Sequence, residues 1–303
     1  MSNRFTHFAD RLMAAVDEKN SCVVVGLDPR LDLLPAELCP DPAVAGYYPE
    51  TAAEFIAEFN RQVIDLVAPY AVAVKPQIAF YEQYGWAGLR AYAETIRRAR
   101  RAGLLVIGDI KRGDIGTTAE AYAVGHFDHL GADALTVNPY LGSDSLVPFL
   151  RMCREKGRGI FVLVKTSNPS SRELQDWPGG GQALYRRVAE LVREWGKELR
   201  GACGYSAVGA VVGATHPAEA AELRTMLPDC VFLVPGYGAQ GATAADCAAC
   251  FAPDGSGAVV NSARGIIHAY RPGGGQEEVT DWRGAIARAA ETMRAELERV
   301  RRR

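Results

Sequence analysis

The sequence carries no charge excess of either sign: 34 lysines and arginines stand against 36 aspartates and glutamates, a formal net charge of −2. Nucleic-acid binders usually carry a basic excess, so no nucleic-acid partner is expected. The arginines at 97, 98, 100 and 101 read as the basic last turn of a helix, where cations suit the macrodipole. No apolar run approaches the ~18 residues that span a bilayer, and the start, MSNRFTHFADRL, has no apolar segment of a signal peptide. Seven cysteines, an odd number at irregular spacing, do not describe a disulfide framework. The one C-x-x-C pair, Cys247 and Cys250, lacks a second pair at zinc spacing and reads as two small residues of an alanine-rich helix.

Nucleotide and nucleophile signatures are also missing: no Walker A motif, no G-x-S-x-G elbow, and no G-x-G-x-x-G after the first apolar run. His7, His126, His129, His216 and His268 are scattered and give no metal set. No Pro- or Ser-rich linker divides the chain. The expectation is a cytoplasmic protein without membrane or metal partners, folded as one domain over residues 1–303.

What is present is a rhythm. Eight short apolar runs recur: 22–27 (CVVVGL), 71–74 (AVAV), 104–107 (LLVI), 134–137 (ALTV), 160–164 (IFVLV), 207–212 (AVGAVV), 230–234 (CVFLV) and 258–260 (AVV). Runs apolar on both faces mark parallel strands covered by helices, and the segments between them are long enough for right-handed crossovers. Residues 50–67 carry apolar side chains at 52, 55, 56, 59, 63 and 66, close to the helical period, and 184–199 behave similarly. Strand then helix, repeated eight times, predicts an α/β fold, a single (β/α)₈ TIM barrel. Residues 33–49, 168–181 and 272–276 read as loops; the second follows the fifth strand and carries Leu174, Trp177 and Gly179 to Gly181, the makings of a hinged lid.

In such a barrel, polar residues at the carboxyl ends of strands meet substrate. Here those ends carry Asp28, Lys75, Asp109 with Lys111, Asn138, Lys165 with Ser167, the PGYGAQ segment 235–240, and Asn261 to Arg264. The densest cluster is DIKRGD, Asp109 to Asp114. Asp109 and Lys111, two apart on a strand, project to the same face. A lysine flanked by carboxylates stays charged and can donate a proton, which argues against a Schiff-base aldolase. The glycine-rich loop after the seventh strand and Arg264-Gly265 after the eighth fall where barrels often bind phosphate.

With these residues in view, the chain resembles the orotidine 5′-phosphate decarboxylase family, in its longer bacterial branch. GLDPR, DIKRGDIGTTA and TVNPYLG carry the resemblance, which runs from Asp28 to Arg264. It implies a (β/α)₈ barrel that works as a homodimer with no cofactor and no metal, converting orotidine 5′-monophosphate to uridine 5′-monophosphate and CO₂. By motif position it implies Lys111 as proton donor and Asp109 as the carboxylate beside the substrate's own. Asp114 and Thr118 would be supplied across the dimer interface, so that the active sites are shared. Asp28 and Lys75 would contact ribose, with Lys75 joining the charge array; Ser167 would meet the pyrimidine edge, and Gln240 and Arg264, with Gly265 beside it, the phosphate. Asn138 belongs to a segment typical of the branch. Two other readings stay open: a metal-dependent sugar-phosphate decarboxylase or aldolase of the same superfamily, disfavoured by Lys75 standing where its metal-binding glutamate would be, and a non-catalytic phosphate-binding barrel.

Overall fold

All eight apolar runs become strands, and every pairing among them is parallel. The structure, a computed structural model, describes residues 7–271 and 279–302; the loop expected at 272–276 lies outside the described residues. The strands are β1 Val23–Leu27, β2 Ala73–Pro76, β3 Leu105–Arg112, β4 Ala134–Val137 and β5 Gly159–Lys165, then a small antiparallel hairpin of β6 Pro178–Gly179 with β7 Gln182–Ala183, then β8 Val208–Val212, β9 Phe232–Val234 and β10 Ala258–Ser262. Eight of them close in the order β1-β10-β9-β8-β5-β4-β3-β2, with the hairpin outside. This is the TIM barrel that the strand-helix rhythm predicts.

Helices cover the outer face, among them Pro49–Val67 and Gly85–Arg101, whose apolar stripes pack on each other and on the strands. The second ends in Arg98, Arg100 and Arg101, the basic last turn expected there. The inside of the barrel is a separate apolar layer that includes Val24, Ile107, Phe161, Val211, Leu233 and Val259. Phe8, Leu12, Met13 and Val16, from the helix Phe8–Lys19, join this layer, each burial contributing about 2 kcal/mol. Phe8 lies where a Cβ on Gly159 would be, 2.1 Å from its ring, and meets Phe161 edge-on at 5.8 Å. Arg11 pairs with Asp133 at 2.6 Å, and the Lys19 ammonium donates to the carbonyls of Ala68 and Ala71 at 3.0 and 2.9 Å. Those partners precede the strands, so this helix plugs the amino-terminal mouth and leaves the opposite one open.

The segments expected as loops have more order than their composition suggests. Residues 33–49 include the helix Pro42–Tyr47, started by the Asp41 side chain accepting from the Val44 N–H at 3.0 Å and by proline in the first turn. Residues 168–181 include the short helix Ser171–Gln175 and one arm of the β6–β7 hairpin. Gly180 and Gly181, with φ of +63° and +89°, form the turn of that hairpin, so the glycine run serves a tight turn where a hinge was expected.

Candidate active site

The open mouth leads into a cavity of about 530 Å³. Among the residues singled out by sequence, Asp28, Lys75, Asp109, Lys111, Ser167, Gln240 and Arg264 line it. At its floor the Asp109 carboxylate gathers three donors. Lys75 Nζ donates to one oxygen at 2.6 Å, Lys111 Nζ to the other at 2.6 Å, and Thr136 Oγ1 to that same oxygen at 2.8 Å. Asp109 and Lys75 are buried, while the Lys111 side chain is 45% exposed and faces the cavity.

The two-residue spacing of Asp109 and Lys111 does bring their charges together, but not by plain strand alternation. β3 loses its register with β4 between Gly108 and Arg112, and Lys111 sits at φ +47°, in the left-handed region. That conformation costs a non-glycine residue about 1 kcal/mol. Thr136 Oγ1 holds it by accepting the Lys111 backbone N–H at 3.0 Å. The strand irregularity thus re-aims the lysine at the end of β3, and one threonine hydroxyl supports both its backbone and its carboxylate partner.

The electrostatics follow from this packing. Burial alone would raise the Asp109 carboxyl, but Lys75 and Lys111 outweigh it and hold the group well below the ordinary carboxylate range. Burial works equally against the Lys75 ammonium, yet Asp109 and Asp28 push it above its usual value. Asp28 goes the other way: burial raises it, with Asp109 adding to the rise and Lys75 opposing it. One Asp28 carboxylate oxygen and the Asn261 side-chain oxygen are buried with no hydrogen-bond partner among the described residues, two acceptors facing space that a ligand hydroxyl could fill. Gly26 permits this closeness, since a Cβ there would fall 2.6 Å from that of Ala263 and 3.3 Å from the Asn261 oxygen.

Across the cavity the loop after β9 and the turn after β10 bring Gln240 and Arg264, both exposed. Gly265 follows in the four-residue helix Arg264–Ile267 and faces a neighbouring hollow.

Other residues singled out by sequence stand away from this cavity. Asp114 is half-buried beyond β3 with its carboxylate accepting the Ile115 N–H at 2.8 Å; Thr118 is exposed on the helix Gly116–Val124. Asn138 is exposed after β4, accepting the Tyr140 N–H at 3.1 Å. Lys165, at the end of β5, is fully buried and turns to Asp176 instead of lining the cavity. Conversely, Thr136, Gln77 and Gln175 line the cavity and were not singled out. Thr136 had one available signal: it is the sole polar residue of the run ALTV.

Comparison with known proteins agrees with this geometry. Residues 21–278 match the family model described as "Orotidine 5'-phosphate decarboxylase / HUMPS family". An orotidine 5′-phosphate decarboxylase of Rhodopirellula baltica is 45% identical over 96% of this chain and 98% of its own length. That of Petrotoga mobilis is 43% identical over 86% of this chain and 89% of its own. Among solved structures, the OMP decarboxylase of Leishmania donovani superposes with a TM-score of 0.76 at 36% identity, covering 97% of this chain and 99% of that one. The family match spans all eight barrel strands, and the chain belongs to the orotidine 5′-phosphate decarboxylase / HUMPS family.

Proposed function

We propose that this chain decarboxylates orotidine 5′-monophosphate to uridine 5′-monophosphate and CO₂, a reaction of de novo pyrimidine biosynthesis, and that the whole chain acts as one barrel unit. The observation that carries this reading is the Lys75–Asp109–Lys111 array on the cavity floor. Losing CO₂ from C6 of the pyrimidine breaks a C–C bond and leaves an electron pair in the ring plane, with no adjacent electron sink. Fixed charges at that point supply the stabilisation. Lys111, free enough to reach the substrate, lies beside the developing carbanion and transfers its Nζ proton to C6, forming the C–H bond; the amine regains a proton from solvent. Asp109, held ionised, stands beside the departing carboxylate and fixes both ammonium groups. A cation at position 75, already paired with Asp109, disfavours the metal-dependent alternative, which needs an anionic ligand there.

Around this centre, Asp28 and Lys75 take the ribose hydroxyls, Ser167 the pyrimidine edge, and Gln240, Arg264 and the backbone at Gly265 the phosphate. Asp114 and Thr118 serve the cavity of a second copy of the chain. Their place outside their own cavity supports this, as do the exposed Ile115, Tyr140 and Leu141 in the neighbouring loops, an apolar face suited to self-association. Among the described residues no helix is long and apolar enough to cross a membrane, and all seven cysteines are free thiols, which suits a reducing cytoplasm.

The test is loss of orotidine 5′-monophosphate absorbance by the purified protein in excess chelator. Turnover that survives chelation is expected; absent or chelator-sensitive turnover overturns the reading. Shared sites are tested by mixing Lys111→Ala with Asp114→Ala. Free subunit exchange should restore about one quarter of wild-type activity, since half the dimers are mixed and each has one intact site. No recovery despite exchange would place Asp114 in its own subunit's site.

A further inference from the structure

The proposed reading gives Ser167 the pyrimidine edge but leaves open what holds it, for it lies beyond the end of β5, in a segment with no strand pairing of its own. The structure supplies an unusually complete frame. On one side, β5 and β8 lose register between Leu163 and Lys165, Gly213 donates its N–H to the Lys165 carbonyl at 2.8 Å, and a Cβ on Gly213 would fall 2.9 Å from that of Ser167. Thr215 Oγ1 donates to the Ser167 carbonyl at 3.3 Å. On the other side the chain folds back on itself. Gln175 Oε1 accepts the Thr166 N–H at 2.9 Å while Gln175 Nε2 donates to Thr166 Oγ1 at 2.7 Å, and that hydroxyl donates to Asn168 Oδ1 at 2.7 Å. One side chain thereby fixes the residue before Ser167 in two places, and through Thr166 reaches the residue after it.

The next residue anchors this arm. Asp176 pairs with Lys165, whose side chain is fully buried and whose ammonium lies 5.2 Å from the centre of the Tyr185 ring. A buried ammonium without its carboxylate is strongly unfavourable, so the pair ties the end of the helix Ser171–Gln175 to the end of β5. The exposed side of the same segment carries Leu174 and Trp177, 52% and 66% exposed.

From this geometry we infer that Gln175 is a positioning residue for base recognition: by clamping Thr166 it sets the Ser167 hydroxyl, and Asp176–Lys165 keeps the clamp in place. The inference rests on the proposed role of Ser167. It makes the middle of the segment 168–181 an anchored support, with Leu174 and Trp177 exposed beside the anchors.

A double-mutant cycle read by ligand binding tests this. Wild type, Gln175→Ala, Ser167→Ala and the double variant are titrated with uridine 5′-monophosphate and with ribose 5-phosphate, which lacks the base. Losing a net hydrogen bond's worth of alignment should weaken uridine 5′-monophosphate binding by about five- to tenfold in Gln175→Ala. Ribose 5-phosphate binding should not change. The double variant should bind no worse than Ser167→Ala alone, because the clamp acts through that hydroxyl. Additive losses would make Gln175 an independent ligand contact and overturn the inference, as would equal weakening of both ligands, which marks a merely structural role. If Ser167→Ala itself fails to distinguish the two ligands, the role proposed for Ser167 is wrong; if it does distinguish them and Gln175→Ala does not, only the clamp is wrong.

Discussion

On the β2–β4 side of the cavity every charged group already has its partner inside the protein, with Lys75, Lys111 and Thr136 converging on Asp109 at 2.6 to 2.8 Å. On the β9–β10 side the Gln240 and Arg264 side chains have no hydrogen bond or ion pair among the described residues, and both are exposed. The first arrangement is buried except for Lys111 and is over-determined by strands; the second stands on a glycine-rich loop and a four-residue helix. Groups that must stabilise a short-lived charge gain from being fixed beforehand, since no reorganisation then falls within the reaction step. Groups that grip a phosphate can be left loose, because closing on the ligand turns remote binding energy into order at the reacting centre.

The comparison breaks most readily at Lys111. Lys111→Ala should lower kcat by about 10⁴-fold or more while the circular dichroism and melting behaviour stay near wild type, because the group proposed as both electrostatic stabiliser and proton donor is lost. Substantial residual turnover would remove Lys111 from the chemistry and with it the functional meaning of the preformed half.

Asp109→Asn should act on stability as well as on rate. The substitution leaves two ammonium groups at a site built around one carboxylate, and Lys75 is buried, so unfolding in denaturant should show a loss of about 3 kcal/mol. The pH dependence has a definite sign. Asp109 is held below the ordinary value of 3.8 in the folded protein, so its contribution is fully present above about pH 4 and is lost only as the pH falls through the folded value. The gap between variant and wild type should therefore be flat across neutral pH. A variant as stable as wild type would mean that the array is not over-determined after all.

Arg264→Ala probes the loose half and should cost less, about 100-fold in kcat/KM for the phosphorylated substrate, with both KM and kcat affected. Orotidine, which has no phosphate, should be turned over equally by variant and wild type, and the melting temperature should not move. Equal losses on both substrates would make Arg264 structural and erase the contrast between the two sides.

What the sequence discloses follows the same division. The eight strands are legible because a barrel strand is apolar on both faces, and the charge cluster because DIKRGD places four ionisable side chains at and just past one strand end. The means by which the cluster is assembled is not legible: nothing in a D-x-K spacing announces a lysine at φ +47° or a strand that slips its register, since both are decided by the neighbouring strand. Thr136 is hidden for a related reason, as one hydroxyl in an apolar run has meaning only once Asp109 is beside it. Gln175 lies in a segment whose composition reads as loop, and its bonds to Thr166 depend on a chain reversal of nine residues. Asp114 and Asn138 are legible as polar residues past strand ends, but the roles of Asp114 and Thr118 rest on the resemblance alone, and within one chain all three stand outside the cavity.

The smallest effect concerns that left-handed lysine and sharpens the claim of preformed order. Lys111→Gly and Lys111→Ala both lack the amine and should be equally inactive, so any difference between them isolates the backbone. At φ +47° an alanine carries the steric cost of a Cβ near the carbonyl, whereas glycine does not. Glycine also adds freedom to the unfolded chain, which offsets part of that gain. The net expectation is that Lys111→Gly is more stable than Lys111→Ala by about 0.5–1 kcal/mol, measured by denaturant unfolding at equal m-value. If alanine is the more stable of the two, position 111 does not hold a left-handed backbone once its side chain is gone. The aim of the lysine would then be set by its ion pair with Asp109, making the backbone irregularity a consequence of the charge array and not its support.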